Sequence, residues 1–304
     1  MAAWTDPTTV QILGVPSDLG AGRRGVDMGP SAIRYAHLAE SIEELGIRCR
    51  DQGNVDVPLP ERSPSQQPTL RQLASVIRVT GRVRDAVAEA LTAEQTPLVL
   101  GGDHSLSIGT LAGVCASWKN PGVLWIDAHG DFNTPETTPS GNIHGMSLAL
   151  GCGRGAPELL RVFSDERHLD PSRVALIGAR SLDPEERELL KSSGVAVFTM
   201  SEIDRRGLRQ VLDDALRQVS SGTDGVHVSF DMDVLDPSVA PGVGTPVGGG
   251  LSYREAHLLM ETVAEFGAIG SLEMVEVNPI LDHSNQTGQL AVELIASALG
   301  RRIF

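Results

Sequence analysis

The sequence predicts an α/β fold in which a mainly parallel sheet is covered by helices on both faces. Strand-like and helix-like segments alternate along the whole chain of 304 residues, and the strand-like segments are mainly apolar without polar/apolar alternation, apart from a weak strand at 48–55. Continuously apolar strands are typical of parallel sheets that are buried on both faces, and β-α alternation is typical of the same layout. No linker, repeat or low-complexity segment divides the chain, so we predict a single domain over residues 1–304.

The predicted elements can be placed from apolar runs and from their boundary residues. The strands are predicted at residues 10–15, 48–55, 97–101, 123–127, 174–178, 195–199, 226–233 and 269–277. The helices are predicted at residues 30–46, 70–93, 104–118, 184–193, 207–219, 252–266 and 285–299. Pro30 and Gly46 bound the first helix, because proline favours the first helical position and glycine the position after the end.

The glycine-rich loop after the first strand does not predict a dinucleotide site. Gly20, Gly22 and Gly25 match the spacing GxGxxG. In dinucleotide-binding folds the helix begins at this motif, so that its N-terminus faces the pyrophosphate. Here the predicted helix begins several residues after the third glycine, and we reject this function.

The composition excludes some partners more firmly than it identifies any. The formal net charge is −14, which disfavours nucleic acid, because its binding depends on Lys and Arg that neutralise phosphates. An acidic field would favour cationic substrates and metal ions, although a role in solubility explains the charge better when it is considered alone. Neither a signal peptide nor an apolar run of membrane-spanning length is visible. The three scattered cysteines, Cys49, Cys115 and Cys152, fit reduced thiols in a cytoplasm.

Three ligand-type side chains follow the fourth predicted strand. The stretch VLWIDAHGDFN at 123–133 begins as an apolar strand and ends with Asp127, His129 and Asp131. Alternate residues of a strand point to the same side, so the three would converge if the strand continued to its end. Two carboxylates and an imidazole form a metal-binding set without thiolate. Taken alone, caps and a buried structural histidine would explain the triplet equally well.

Two other predicted strands end in the same types of residue. Asp231 and Asp233 end the strand at 226–233, and His104 follows the strand at 97–101. The carboxyl ends of parallel strands are where α/β proteins bind ligands. Four carboxylates and two imidazoles exceed what one metal ion needs if it also holds water and substrate. Two ions that share carboxylates fit better, and oxygen and nitrogen donors without sulfur favour Mn²⁺ over Zn²⁺.

Four sequence blocks resemble the ureohydrolase family, in order and over nearly the whole chain. They are GGDHS at 101–105, DAHGD at 127–131, SFDMDVLDP at 229–237 and EVNP at 276–279. The loop NTPETTPSGNIHG at 133–145 resembles the substrate loop of arginases rather than agmatinases, as do the blocks at 13–34 and 179–186. The resemblance implies a three-layer α/β/α fold with a mainly parallel sheet of about eight strands.

The resemblance also implies two Mn²⁺ ions per chain. The implied ligands are His104, Asp127, Asp131 and Asp231 for one ion, and His129, Asp127, Asp231 and Asp233 for the other. Asp127 and Asp231 would then bridge the ions. Such a pair lowers the pKa of water, and the resulting hydroxide would attack the guanidinium carbon of L-arginine to give L-ornithine and urea. A homo-oligomer, either trimer or hexamer, is implied as well.

Three residues are candidates for the catalytic steps. Glu276 would pair with the guanidinium group and position its carbon for attack. Asp131 would accept the proton of the hydroxide and pass it toward the leaving amine. His144 is the candidate general acid or proton shuttle, because the pKa of histidine suits that work.

A second group of residues would hold the amino-acid end of the substrate. The candidates are Asn133, Thr138, Ser140, Asp183 and Glu186. The first three offer uncharged donors for an α-carboxylate, and the last two could hold an α-ammonium group. A helix N-cap before Pro184 explains Asp183 nearly as well. Sites that hydrogen-bond a polar group reject analogues lacking it, which favours arginine over agmatine.

The sequence gives weaker evidence for the roles of Thr245 and of five histidines. Thr245 resembles a family position that contacts urea or substrate, and a plain turn role is equally plausible. The histidines that match no ligand position are His37, His168, His227, His257 and His283. We expect them to be surface or packing residues.

Three other functions compete with arginine hydrolysis. The first is another ureohydrolase, acting on agmatine or on a guanidino acid. The second is a zinc-dependent deacetylase of related fold, which would need only one Asp-His-Asp site and would leave His104 and Asp233 unexplained. The third is an arginine-binding protein without catalytic activity, which the intact ligand set disfavours.

Overall fold

Eight strands form one sheet in the computed structural model, which describes residues 8–62, 69–164, 167–267 and 269–302. The strands are β1 (Thr9–Val15), β2 (Arg48–Asn54), β3 (Thr96–Gly101), β4 (Pro121–Ile126), β5 (Val174–Ala179), β6 (Ala196–Thr199), β7 (Gly225–Asp231) and β8 (Ile269–Val275). They pair in parallel in the order β2-β1-β3-β8-β7-β4-β5-β6. The predicted fold class is confirmed.

Helices connect the strands and cover both faces of the sheet. They are α1 (Gly29–Tyr35), α2 (Leu38–Glu43), α3 (Leu73–Thr92), α4 (Ser107–Ser117), α5 (Ser147–Gly151), α6 (Pro157–Leu160), α7 (Pro184–Ser193), α8 (Met200–Arg206), α9 (Leu208–Ser220), α10 (Tyr253–Phe266) and α11 (Gln286–Ala298). None in the described part of the chain has both the length and the apolar character needed to cross a membrane.

Two apolar cores lie between the sheet and its helices. One contains side chains of α1, α2 and α8–α11, and the other contains side chains of α3–α7. Strand β4 contributes to both, because Leu124 and Ile126 point into the first core while Val123 and Trp125 point into the second. Burial on both faces explains why the inner strands are mainly apolar, whereas the edge strand β2 is polar and exposed.

Several predicted boundaries were wrong for local reasons. The segment 30–46 forms two helices instead of one, since His37 adopts a left-handed backbone conformation with φ 63° between α1 and α2. The segment 104–118 begins with a 3₁₀ turn at His104–Leu106 before α4. Helix α8 was not predicted, and it begins where the Thr199 hydroxyl accepts a hydrogen bond from the Glu202 amide. The segment PLPERSPSQQP at 58–68, for which its prolines predict a surface loop, falls partly on residues 63–68, outside the described residues.

The order of the strands produces a crevice at the centre of the sheet. Strands β3 and β4 follow each other in the chain, but β8 and β7 lie between them. The order in which strands are added to the sheet therefore reverses at this point. In such sheets, ligands bind beyond the carboxyl ends of the strands where the strand order reverses. Of the four central strands, β3, β7 and β4 lead into the candidate metal ligands, and β8 leads into Glu276.

Helices α3 and α4 pack closely at a glycine. A Cβ atom added to Gly109 on α4 would lie 2.4 Å from the Thr80 carbonyl oxygen on α3. A backbone atom cannot move aside as a flexible side chain can. The approach of these two helices therefore depends on the hydrogen side chain at residue 109.

Replacing Gly109 by alanine is expected to destabilise the protein by about 1–3 kcal/mol, because the helices must separate. Denaturant unfolding would measure the change. Gly81→Ala in α3 is the matched control, since the added Cβ meets no atom within 4 Å, and it should stabilise the helix by about 0.5–1 kcal/mol. Equal effects of the two substitutions would contradict the close helix contact.

Candidate active site

The predicted metal ligands lie together beyond the carboxyl ends of three strands at the centre of the sheet, β3, β4 and β7. His104 follows β3, and Asp127, His129 and Asp131 follow β4. Asp231 ends β7, and Asp233 lies in the 3₁₀ turn immediately after it. The carboxyl groups of the four aspartates are buried. The sheet order therefore brings together side chains that are far apart in the sequence.

The residues after β4 converge through a turn, not through continued strand geometry. The strand ends at Ile126, so the expected alternation over 127–131 was wrong. Asp131 has a left-handed backbone with φ 47°, and its carbonyl accepts the Leu148 and Ala149 amides at 2.9 and 3.1 Å. The amide of His129 donates to Asp127 Oδ1 at 2.7 Å. These main-chain contacts hold the turn in the conformation that directs its side chains inward.

A first donor group surrounds Nδ1 of His104. Carboxylate oxygens of Asp131, Asp127 and Asp231 lie 3.0, 3.1 and 3.2 Å from this nitrogen. One ring nitrogen cannot share hydrogen bonds with three carboxylates, and this atom finds no hydrogen-bond partner among the described residues. Neighbouring donors on a divalent ion, each about 2.0–2.2 Å from the metal, are spaced in this way. The group therefore fits a metal ion.

A second donor group shares Asp127 with the first. Nδ1 of His129 lies 3.0 Å from Asp233 Oδ2 and 3.5 Å from Asp127 Oδ1. Ligand atoms of Asp127, His129 and Asp233 all lie within 4.8 Å of one another, as do those of His104, Asp127 and Asp231. Two adjacent ion sites bridged by Asp127 match this arrangement. The second bridging role implied for Asp231 stays a prediction.

Hydrogen bonds outside the donor groups fix the orientation of the ligands. The Trp125 indole donates to Asp127 Oδ2 at 3.1 Å and stacks on the His104 ring at a centroid distance of 4.2 Å. His104 Nε2 contacts the Ser229 hydroxyl at 2.8 Å, which leaves Nδ1 for a metal. The Thr245 hydroxyl donates to Asp233 Oδ2 at 2.9 Å. Such contacts select the tautomer and rotamer of metal ligands.

The electrostatics of the site favour added positive charge. Burial and the neighbouring Asp127 raise the pKa of Asp131 to about 6. Burial and neighbouring carboxylates also raise the pKa of Asp231 and of Asp233. Burial opposes protonation of His129, but Asp233 and Asp127 raise the pKa of its imidazole to about 12. Divalent cations would relieve the repulsion that these shifts report.

Glu276 and His144 form a buried ion pair next to the donor groups. Glu276 follows β8, has a left-handed backbone with φ 65°, and accepts the His104 amide at 2.9 Å. The same oxygen lies 3.0 Å from His144 Nδ1. Burial opposes both charges, but the contact lowers the pKa of Glu276 and raises the pKa of His144 to about 9. Both residues are therefore charged near neutral pH.

All six predicted substrate residues line one cleft above the donor groups. They are Asn133, Thr138, Ser140, Asp183, Glu186 and Thr245. The Asn133 amide donates to Asp183 Oδ2 at 2.9 Å. Asp183 and Glu186 also form a capping box at the start of α7, so the capping interpretation of Asp183 holds beside its position in the cleft. The two carboxylate oxygens of Glu186 accept the Phe132 and Asp183 amides at 2.9 and 3.1 Å.

Some residues of the site were not predicted. Gly145 and Ser181 line the same cleft. The Arg180 guanidinium donates to the carbonyl oxygens of Asp233 at 2.8 Å and Val247 at 2.7 Å, so it supports the loop after β7. The sequence feature that could have indicated this role is the position of Arg180 immediately after a buried strand. Among the histidines without a ligand role, His227 is buried, with its Nε2 3.3 Å from Glu273.

Comparison with known proteins identifies relatives over nearly the full chain. The model of the arginase family matches residues 8–300. The arginase of Bacillus subtilis (strain 168) is 51% identical over 295 residues, which cover 97% of this chain and 99% of that protein. The native structure of the arginase from Bacillus caldovelox has a TM-score of 0.95 at 48% identity and covers 98% of this chain and 100% of its own.

A more distant structure shares the fold along the same length. The Entamoeba histolytica arginase in complex with L-ornithine has a TM-score of 0.90 at 30% identity, covering 98% of this chain and 100% of that one. The family match and the sequence identities rest on the whole sheet and its loops, not on the ligand motifs alone. The chain therefore belongs to the arginase family and is a hydrolase of the arginase type.

Proposed function

We propose that the protein hydrolyses L-arginine to L-ornithine and urea with two Mn²⁺ ions per chain. The observation that carries the proposal is the pair of donor groups bridged by Asp127 at the base of a cleft that also contains His144. Glu276 lies directly beside them. Relatives of about half-identical sequence are named arginases, which supports the same substrate here.

The donor chemistry supports manganese. His104, Asp127, Asp131 and Asp231 would hold one ion, and His129 and Asp233 would hold the other together with the bridging aspartates. Carboxylate and imidazole donors without sulfur suit Mn²⁺. When bound, two divalent ions supply Lewis acidity and lower the pKa of water toward neutrality.

Glu276 would bind the guanidinium group of the substrate. Its carboxylate is buried and charged, so a planar cation can pair with it strongly. The His104 amide and His144 hold one oxygen of this carboxylate. The carboxylate is thus fixed before substrate arrives, and it would place the guanidinium carbon next to the attacking water.

Asp131 and His144 would move the protons. With the ions bound, the attacking water would already have lost one proton. Its oxygen forms a bond to the guanidinium carbon, and Asp131 would accept the second proton and pass it toward the leaving amine. The bond from that carbon to the side-chain nitrogen of arginine then breaks, and this nitrogen receives a proton as it becomes the amine of ornithine. His144 can supply that proton because its pKa near 9 keeps the imidazole protonated at neutral pH.

The cleft residues would select the amino-acid end. Asn133, Thr138 and Ser140 offer donors for the α-carboxylate. Asp183 is the better candidate for the α-ammonium group, since both oxygens of Glu186 already accept backbone amides. Thr245 would orient Asp233 and line the cleft.

The assembly and location of the protein are proposed on the same family resemblance. We infer a trimer or hexamer of one-domain chains in the cytoplasm. Cys49, Cys115 and Cys152 are unpaired, which supports a reducing compartment.

A panel of guanidino substrates tests the proposal. Arginine should give a kcat/KM at least about 10²-fold above those of agmatine and 4-guanidinobutyrate, because each analogue leaves polar groups of the cleft unpaired. Urea release would be measured with Mn²⁺ or Zn²⁺ added to metal-free protein. Turnover of an analogue without turnover of arginine would establish another ureohydrolase. Binding of arginine without urea formation would indicate a protein without catalytic activity.

Two substitutions separate metal binding from proton transfer. Asp231→Ala should lose metal and activity together, because it removes a donor of the first group. His144→Asn should retain both ions and lower kcat by about 10²–10⁴-fold, as expected for loss of a general acid. Metal analysis of purified protein and steady-state kinetics provide the two readouts. Loss of metal from the His144 variant would refute its assignment.

The charge of Asp183 can be tested without losing the helix cap. Serine is as good an N-cap as aspartate, so Asp183→Ser should leave unfolding unchanged. The variant should lower kcat/KM for arginine about 10- to 100-fold, the range expected for loss of a charged hydrogen bond. 4-Guanidinobutyrate has no ammonium group and serves as the control substrate. An equal loss for both substrates would argue against an ammonium contact at Asp183.

A further inference from the structure

One buried carboxylate beside the donor groups has no part in the proposed chemistry. Asp103 immediately precedes His104, and its side chain is 0% exposed. It forms no ion pair with any residue that the structure describes. Burial raises the pKa of Asp103, and the neighbouring Glu276 raises it further. A buried carboxylate is costly unless hydrogen bonds satisfy it, so the partners of this side chain indicate what it is for.

The two carboxylate oxygens of Asp103 have different partners. Oδ1 accepts the Ser105 amide at 2.9 Å and so caps the 3₁₀ turn that begins at His104. Oδ2 accepts the Gly20 amide at 3.1 Å and the Ser17 hydroxyl at 3.4 Å. A cap needs only one acceptor oxygen, which serine supplies as well as aspartate. The second oxygen is what an aspartate adds, and it joins the 3₁₀ turn to the loop after β1.

Gly20 connects this carboxylate to the residue proposed as general acid. Its carbonyl accepts the His144 amide at 3.2 Å. A Cβ atom added to Gly20 would lie 2.6 Å from Asp103 Oδ1 and 2.5 Å from the Ser105 side chain, so residue 20 can approach this closely only because it has none. The amide and the carbonyl of a single residue thus link the buried carboxylate to the main chain of His144.

The main chain on either side of Asp103 holds the other member of the ion pair. Glu276 donates its amide to the Gly102 carbonyl at 2.9 Å, and its Oε1 accepts the His104 amide at 2.9 Å. Neither contact involves the side chain of Asp103. This short segment therefore locates Glu276 through its main chain and His144 through the Asp103 side chain, and the two charged groups meet at 3.0 Å.

We propose that Asp103 is a positioning residue for His144 and acts through Gly20. The carboxylate holds Gly20, whose carbonyl fixes the main chain of His144, so that the imidazole reaches both Glu276 and the leaving nitrogen of the substrate. The inference rests on the proposed hydrolysis of arginine with His144 as the proton donor. Loss of the second oxygen of Asp103 would let His144 shift while Glu276 and the metal ligands stay in place.

Asp103→Ser tests the second oxygen, because serine keeps the cap and its shorter side chain does not reach Gly20. The Mn²⁺-loaded variant should keep the metal content of wild type and a KM for arginine within about twofold. Its kcat should fall about tenfold, as expected for a small displacement of a proton donor. The loss is partial, since the Ser147 hydroxyl still donates to the His144 carbonyl at 3.0 Å. Metal analysis and steady-state kinetics provide the readouts.

The chain offers a matched control and a second variant. Asp170 also caps a 3₁₀ turn through the amide two residues on, but it is exposed and does not line the cleft. Asp170→Ser should therefore match the wild type. Gly20→Ala separates Gly20 from Asp103 and should lower kcat as Asp103→Ser does, which provides the same test if Asp103→Ser does not fold.

Two measurements separate positioning from a general structural role. In a His144→Asn background, Asp103→Ser should lower kcat by less than about twofold, because a residue that acts through another has no separate effect once that other is removed. Hydrogen–deuterium exchange should become faster in residues 142–146, since the His144 amide loses the support of Gly20. The exchange measurement needs no substrate.

Three results would overturn the proposal. An unchanged kcat for Asp103→Ser would mean that the link through Gly20 does not position His144. An equal fall in kcat with and without the His144 imidazole would mean that Asp103 affects another step. Loss of metal would mean that it acts through His104. Failure of the proposed function would look different, because wild-type protein would release no urea from arginine, and exchange at 142–146 would still test the link.

Discussion

Repulsion among buried carboxylates is the constraint on which the rest of the structure depends. Asp127, Asp131, Asp231, Asp233 and Glu276 are all buried within one small region. Charges of one sign in a medium of low dielectric raise each other's energy steeply unless cations compensate them. Imidazoles and main-chain amides compensate part of this charge. The remaining negative charge favours the binding of cations in this region.

The position of these carboxylates at the centre of the sheet lets the fold tolerate their mutual repulsion. These carboxylates follow β4, β7 and β8 at the centre of the sheet, where the flanking strands and both helical layers keep the backbone rigid. Arg180 lies at the carboxyl end of β5 and holds the carbonyl oxygens of the loop after β7. Its guanidinium group donates to these main-chain carbonyls, and its positive charge also interacts with the carboxylates of Asp233, Asp127 and Asp231. The loops can thus stay in place while their side chains repel each other.

The sequence was sufficient to predict the sheet and which side chains gather beyond its central strands. Mainly apolar strands without alternation indicate burial on both faces, and Asp or His residues at several strand ends indicate a common crevice. The conformation after β4 was not predictable, because the left-handed backbone of Asp131 depends on amides of α5, a helix without a clear sequence signal. The His227–Glu273 contact depends on the register of β7 and β8, which shifts next to His227. The pattern of apolar residues in the sequence does not indicate this shift in register between β7 and β8.

The left-handed backbones of Asp131 and Glu276 have a consequence for how the family site can change. Residues other than glycine in this region cost on the order of 1–3 kcal/mol each when the surroundings impose them. In the proposed mechanism both positions also carry carboxylates that the reaction needs, so neither could be replaced by glycine, which best suits such a backbone. Evolution toward greater thermal resistance must therefore act elsewhere in the chain. The apolar cores must offset the free energy that these two backbone conformations cost.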